Sequence, residues 1–166
     1  MSGRIFLLGD DIDTDQLAPG QYMRGGIEAI AAHCLEAARP DFAPSVQPGD
    51  IVVAGRNFGA GSSREQAAEA LRYLQVAGVV ALSFAGIFYR NAVNLGLPVL
   101  IAPSIDGVVD GDLATLDADG GVLQLTAKGI ALPLDPMPEN LRAIIQAGGL
   151  VPYLKKRFAA DDKGPS

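Results

Sequence analysis

Residues 55 to 66, GRNFGAGSSREQ, combine three glycines with two serines, an arginine and a glutamate. The segment lies between the apolar run 51–54 and the helical pattern 67–74, so it is predicted to join a strand to the first turn of a helix. Backbone N–H groups at a helix start favour an anion. Arg64 adds a forked cation that suits a carboxylate or a phosphate. The segment therefore predicts a site for a small anionic ligand.

The same segment also has a purely structural interpretation, because Ser62 and Glu65 match the S-x-x-E capping box of a helix start. Capping explains one serine and the glutamate, but it does not explain the three glycines or the intervening arginine. Anion binding and capping both stay open from the residues alone. A dinucleotide fingerprint is excluded because Arg64 stands where its last glycine would be, and a P-loop is excluded because no Gly-Lys-Ser/Thr follows.

Length and composition restrict the function classes. We predict one domain over residues 1–158 and a disordered tail over 159–166. Hydrophobic residues make up 49% of the chain, but no apolar run reaches the length of a membrane span. The start of the chain lacks the pattern of a signal peptide, and the one cysteine suits a reducing compartment, so we expect a cytoplasmic protein. A net charge of −6 with scattered basic residues argues against nucleic acid as a partner.

The counts of metal-binding residues are equally restrictive. One cysteine and one histidine cannot hold a structural zinc or an iron–sulfur cluster, so no metal site is expected in this chain. His33 and Cys34 are neighbours in sequence and diverge, which disfavours a nucleophilic pair. The acidic segment 11–15 is not a calcium loop, because Gln16 stands where the required glycine would be.

The elements that must position these residues follow from periodicity and turn signals. The first half predicts alternating strands and helices, which is typical of a parallel α/β unit. The second half predicts a β meander and then a helix opened by Pro138 and closed by Gly148 and Gly149. The predicted strands are 4–8, 51–54, 79–83, 98–102, 112–117, 122–126 and 130–134, and the predicted helices are 27–38, one ending near Gln75, 85–95 and the one from Pro138.

Four blocks in order resemble the small subunits of 3-isopropylmalate dehydratase, which are similar to the swivel domain of aconitase. They are GDDIDTDQLAPGQYMRG, GRNFGAGSSREQA, SFAGIFYRNAVNLGLPVL and AIIQAGGLVPYLKKR. The resemblance implies a swivelling β/β/α domain, in which a parallel β-α-β core is joined to a β meander in a barrel-like sheet.

The resemblance also implies a hydro-lyase of leucine biosynthesis that acts on hydroxy-acids with two or more carboxylates. In the family a proton leaves the carbon beside a carboxylate, and a [4Fe–4S] cluster in a separate large subunit assists the leaving hydroxyl. The implied partner is that large subunit, in a heterodimer or a heterotetramer. This chain would supply a base and carboxylate-binding groups, and no cofactor of its own.

Carried over by motif, Ser62 matches the serine base of aconitase-like sites, and Ser63 and Arg64 match groups that hold a substrate carboxylate. Arg24 lies where the family has a substrate-reading arginine. Beside it, Met23 lies in a segment, 22–26, that we expect to be a mobile loop carrying specificity. Three further residues match a family signature that we expect to brace the site, namely Asp13, Thr14 and Asp15.

The chain departs from many relatives at Ala60, Gln66 and Gly86, and these departures leave open which member of the family it is. The small subunits of homoaconitase, citraconate hydratase and dimethylmalate dehydratase would share the four blocks. A non-catalytic anion-binding module is the alternative from a different class. The retained trio of Ser62, Ser63 and Arg64 argues against it, since a module that only binds needs no base.

Overall fold

The fold is built on seven strands that pair into one sheet in the part of the chain described by the structure, a computed structural model that covers residues 2–162, with side chains to residue 160. In chain order the strands are β1 Gly3–Leu7, β2 Ile51–Ala54, β3 Gly78–Ala81, β4 Val99–Ile101, β5 Leu113–Asp117, β6 Val122–Leu125 and β7 Ile130–Pro133. None of the helices over these residues is long and apolar enough to cross a bilayer.

Helices follow each of the first three strands, and two more helices follow β7. They are α1 Thr14–Leu17, a 3-10 helix Gly20–Gly25, α2 Gly26–Ala32, α3 Phe42–Ser45, α4 Gln66–Tyr73, α5 Gly86–Asn94, α6 Glu139–Gln146 and α7 Leu150–Asp162.

The sheet has the strand order β4-β3-β2-β1-β5-β6-β7. Strands β1 to β4 are parallel, with Phe6 opposite Val52 and Val52 opposite Val79, whereas β5, β6 and β7 form an antiparallel meander that joins β1. Every residue of β2 and β3 is buried, as expected for parallel strands covered on both faces. This arrangement confirms the predicted α/β swivel fold, with its parallel core and its meander.

Two hydrophobic clusters lie on the two faces of the sheet, because alternate residues of a strand point to opposite sides. One cluster contains Phe6 and Val52 and is covered by helices. The other contains Ile5, Val53 and residues of the meander. The Asp135 N–H, just after β7, donates to the carbonyl oxygen of residue 101 in β4 at 2.8 Å, which joins the two ends of the strand order. The sheet therefore curls around the second cluster.

Two predicted boundaries differ from the structure in the segment before β2. The helix predicted for 27–38 ends at Ala32 and continues as turns, because Leu35 adopts a φ of +63° and its N–H donates to the Gln16 carbonyl at 2.8 Å. The segment 22–26, predicted as a mobile loop, instead forms most of the 3-10 helix and the first residue of α2. Tertiary contacts determine the conformation of both segments, and the periodicity of the local sequence does not reveal such contacts.

Helix α7 is absent from the predicted elements, the last of which ends at Gly148 and Gly149. Pro152 lies in the first turn of this helix. Proline is tolerated in the first turn of a helix, where its missing N–H has no intrahelical partner. The helix extends over residues 159–162 of the predicted tail, and residues 163–166 of that tail lie outside the described residues.

Candidate functional site

The candidate site lies where the parallel strands β1, β2 and β3 end. Chains leaving these strands stay side by side, because Asp13 forms a parallel bridge with Ala60 and Phe58 forms one with Phe84. The Thr14 N–H donates to the Ala60 carbonyl at 2.8 Å. Ligands in open α/β sheets bind outside the carboxyl ends of the strands, so this edge is the expected place for a site. It brings the acidic signature 13–15 against the predicted anion-binding segment.

Packing explains two of the three glycines in that segment. A Cβ on Gly55 would lie 1.9 Å from Oδ1 of Asp10, and a Cβ on Gly59 would lie 2.2 Å from the ring of Phe88. Gly59 also has a φ of +86°, which side chains rarely adopt. The crowding of glycines therefore has a structural cause here and does not by itself indicate a ligand.

The structure rules out the alternative interpretation of Ser62 and Glu65 as a capping box. Helix α4 begins at Gln66, its N-cap Glu65 makes no side-chain cap, and Ser62 lies in a bend of the chain before it. The Ala67 and Ala68 N–H groups are bonded within the first turn, to the Arg64 carbonyl at 3.3 Å and to the Glu65 carbonyl at 3.1 Å. The N–H groups of residues 63–66 have no acceptor among the described residues, so they are available to an anion together with the side chains of the preceding loop.

A capping box does occur at the site, at the start of α1. The Asp13 carboxylate accepts from the Gln16 N–H at 2.8 Å, and the Gln16 amide oxygen accepts from the Asp13 N–H at 2.9 Å. Asp13 therefore starts the short helix that presents Thr14 and Asp15 to the segment after β2.

Ser62 is held by a buried threonine. The Ser62 N–H donates to Oγ1 of Thr14 at 3.2 Å, and the two hydroxyl oxygens lie 3.1 Å apart. Only 3% of Thr14 is exposed, whereas Ser62 is exposed at the edge of the sheet. Thr14 therefore orients the Ser62 hydroxyl from the protein interior, and the solvent-facing side of that hydroxyl is open to a ligand.

Arg64 is anchored by the acidic signature. Its Nη1 donates to Oδ1 of Asp15 at 3.1 Å and to the carbonyl of Ala18 at 2.7 Å. The Arg64 hydrogen bond, followed by one from the Gly20 N–H, lowers the pKa of the Asp15 carboxyl. Asp15 therefore keeps its charge to lower pH, and the stability it contributes is lost as the pH falls through that lowered pKa. Both contacts use Nη1, so the guanidinium is fixed in orientation by one of its nitrogens.

The other predicted site residues make no side-chain hydrogen bond to Ser62 or Arg64 among the described residues. Ser63 is exposed, and its carbonyl accepts from Nδ2 of Asn91 at 3.3 Å, a contact with α5 that the sequence did not indicate. Arg24 is exposed near the end of the 3-10 helix and makes no hydrogen bond or ion pair with any residue in 2–160. Met23 is partly buried and packs against the helix-covered core cluster. No contact among the described residues joins Arg24 directly to Ser62.

The three positions at which the resemblance predicts departures from many relatives lie around this edge. Ala60 accepts the Thr14 N–H through its carbonyl, and Gln66 is the first residue of α4. Gly86 is the first residue of α5, and a Cβ there would meet nothing within 4 Å. A side chain at Gly86 is therefore sterically allowed.

The described residues do not fit a metal or an iron–sulfur cluster. No group of three or more His, Cys, Asp or Glu side chains within them could hold a metal ion. Cys34 is buried, and this burial raises the pKa of its thiol. His33 is bonded to Glu36 at 2.7 Å. The described residues therefore do not supply the set of thiolate ligands that an iron–sulfur cluster needs.

Comparison with known proteins agrees with this geometry. Residues 28–103 match the family described as the aconitase C-terminal domain. The chain is 48% identical to the 3-isopropylmalate dehydratase small subunit 2 of Archaeoglobus fulgidus, covering 94% of this chain and 95% of the relative. It is 45% identical to the methanogen homoaconitase small subunit of Methanothermobacter thermautotrophicus, covering 93% and 90%. The crystal structure of 3-isopropylmalate dehydratase (LeuD) from Methanocaldococcus jannaschii matches with a TM-score of 0.93 and 43% identity, covering 99% and 98%.

Proposed function

Because the chain belongs to the family of 3-isopropylmalate dehydratase small subunits, we propose that it interconverts 2-isopropylmalate and 3-isopropylmalate together with a large subunit. The exposed Ser62 hydroxyl, held from below by buried Thr14, is the observation that carries this proposal. The reaction removes water from one isomer and adds it back at the neighbouring carbon, in leucine biosynthesis.

A second candidate is the corresponding step of homoaconitase. The 45% identity to a methanogen homoaconitase small subunit is close to the 48% identity to the Archaeoglobus small subunit. Both candidates use the same chemistry on a hydroxy-acid with several carboxylates, and they differ in the group that the substrate carries beside the reacting carbons. Overall identity does not separate them, so the substrate has to be measured.

In the proposed mechanism Ser62 is the base. Its Oγ takes the proton from the carbon beside a substrate carboxylate while hydroxide leaves the neighbouring carbon. In the return addition the hydroxyl is placed on the carbon that lost the proton, and the proton is placed on the carbon that lost the hydroxyl. A serine is a poor base unless it acts as an alkoxide in a site closed to water. An alkoxide has no proton to donate, so the pair at 3.1 Å requires Thr14 to donate to Ser62. The Thr14 hydroxyl would thereby stabilise the charged base.

The carboxylates of the substrate would be held by the positive and polar groups around Ser62. Arg64 presents its guanidinium in the orientation fixed by Asp15 and Ala18, and Ser63 lies next to it. We assign Arg24, on the 3-10 helix, to the second carboxylate or to the edge of the variable group. Met23 beside it would contact that group and influence substrate choice.

The iron–sulfur cluster implied by the family is proposed to belong to the large subunit, because the described residues of this chain do not fit it. The same subunit would cover Ser62 and Ser63, which are exposed in this chain. A base that needs a dry site has to be covered, so the active site would be complete only in the heterodimer or heterotetramer.

We test the function by co-expressing the chain with a large subunit under anaerobic conditions and assaying a panel of hydroxy-diacids and hydroxy-triacids. We expect turnover of isopropylmalate by the complex and none by the isolated chain, which should be folded and colourless. Turnover of homocitrate or homoaconitate alone would favour the second candidate. Activity of the isolated chain would contradict a two-subunit site.

The role of Thr14 gives a separate prediction. In the Thr14→Val complex, which keeps the shape but loses the hydroxyl, we expect kcat to fall about 10- to 100-fold with little change in KM, because Ser62 loses its orienting partner. Thr14→Ser keeps a hydroxyl and should retain most of the activity. Steady-state kinetics of both variants, with thermal unfolding of the isolated chains, measure the effect. Full activity of Thr14→Val would show that Ser62 needs no such partner.

A further inference from the structure

We propose that Tyr22, His33 and Glu36 form a latch that positions the Met23–Arg24 segment for substrate, an inference that rests on the proposed function. Tyr22 directly precedes these two residues in the 3-10 helix, whereas His33 and Glu36 lie after α2. The three side chains contact each other but do not contact Ser62. They are therefore positioning residues, which act on substrate only through the segment that they hold.

The latch is closed by three contacts. The rings of Tyr22 and His33 stack with centroids 3.6 Å apart and planes within 5°. The Tyr22 hydroxyl donates to Oε1 of Glu36 at 2.9 Å, and Nδ1 of His33 lies 2.7 Å from Oε2 of the same carboxylate. Hydrogen bonds from His33 and then Tyr22 lower the pKa of Glu36. One carboxylate therefore joins the tyrosine of the 3-10 helix to the histidine at the end of α2.

The 3-10 helix depends on such contacts for its position. It has six residues and no side-chain cap, and helices of this type are rarely stable beyond one or two turns. Its start is tied to the catalytic edge, because Asp15 accepts from the Gly20 N–H at 3.2 Å and also from Arg64. The Tyr22 contacts then fix its middle. Arg24, which follows, is held on a segment anchored at two points.

The turn that carries Glu36 is itself constrained. Leu35 is buried and has a φ of +63°, a conformation that is unfavourable for a bulky side chain. Its N–H donates to the Gln16 carbonyl at 2.8 Å, which connects this turn to α1. Strained backbone of this kind persists only where its surroundings hold it. The turn keeps Glu36 facing back towards His33 and Tyr22.

A cavity of about 280 Å³ lies between the two anchor points and is lined by Asp15, Gly20 and Glu36. Its two carboxylates would repel a dicarboxylate. Substrate is therefore expected outside this cavity, and Glu36 acts on the 3-10 helix rather than on substrate.

The test uses Tyr22→Phe, which keeps the ring stack but loses the bond to Glu36, and Glu36→Gln. Tyr73→Phe, at the exposed end of α4, is the matched control. In the reconstituted complex we expect KM for the active diacid to rise about five- to tenfold in both variants, with kcat within about twofold of wild type.

Amides of residues 21–25 in the isolated chain should exchange hydrogen about tenfold faster, while β2 and β3 stay protected. The double variant should be no worse than the single variants.

The outcomes separate the latch from the proposed function. An active wild-type complex whose variants keep wild-type KM and exchange would overturn the latch alone. A lower melting temperature with unchanged KM would assign the three residues to stability only and would also overturn it. A wild-type complex inactive on every acid of the panel would overturn the proposed function and the latch's role in substrate binding together.

Discussion

Replacing Ser62 with alanine is expected to abolish turnover by the complex while the chain stays folded and still binds its large subunit. The loss of a catalytic base should lower kcat on the order of 10²-fold or more. The structural loss is small, because Ser62 is exposed, does not cap α4 and shares one hydroxyl contact with Thr14. Removing such a contact should cost about 1 kcal/mol of unfolding free energy. Kinetics of the complex and thermal unfolding of the isolated chain measure the two effects separately.

Ser104→Ala is the matched control for that experiment. Ser104 is exposed in the loop after β4, and its hydroxyl accepts from the Asp106 N–H at 3.1 Å. This variant should lose a similar amount of stability and no activity. If Ser62→Ala instead lowers the melting temperature and retains near-normal turnover, Ser62 is a structural residue and another group is the base.

Replacing Arg64 with lysine is expected to lower kcat/KM on the order of 10²-fold, even though the charge is kept. Lysine presents a point charge in place of a planar fork, so it cannot hold a carboxylate through two parallel bonds in a fixed orientation. A small misplacement of the substrate is enough for a loss of this size. The melting temperature should change little, because the Asp15 side chain is 75% exposed and an ion pair with so exposed a partner contributes at most about 1 kcal/mol.

Asp15→Asn separates the two roles of Arg64. It removes the charge that anchors Arg64 but leaves the guanidinium and its bond to the Ala18 carbonyl. If Arg64 binds substrate, Asp15→Asn should be much milder than Arg64→Lys in kcat/KM. Equal kinetic losses in the two variants would show that Arg64 only braces the site, and that another cation binds the carboxylate.

Much of the fold and the location of the candidate site could be predicted from sequence because both depend on local patterns. Buried parallel strands are short apolar runs, such as 51–54 and 79–81, and glycine turns separate them from the helices. The segment 55–66 was identified from its residue types alone, and so was the lack of cysteine ligands for a cluster. Each of these signals is either a run of a few consecutive residues or the number of residues of one type. Interpreting it therefore requires no knowledge of which distant residues it contacts.

Only the tertiary structure decided which side chains meet. Thr14 and Ser62 are separated by 48 residues and Asp15 and Arg64 by 49, and they meet because β1 and β2 are neighbours in the sheet. A local pattern can indicate the correct type of feature and still leave its position in the chain undecided. The S-x-x-E of Ser62 proved not to be a cap, whereas the capping box formed at Asp13. A cap depends on where the chain enters its helix, and packing sets that entry.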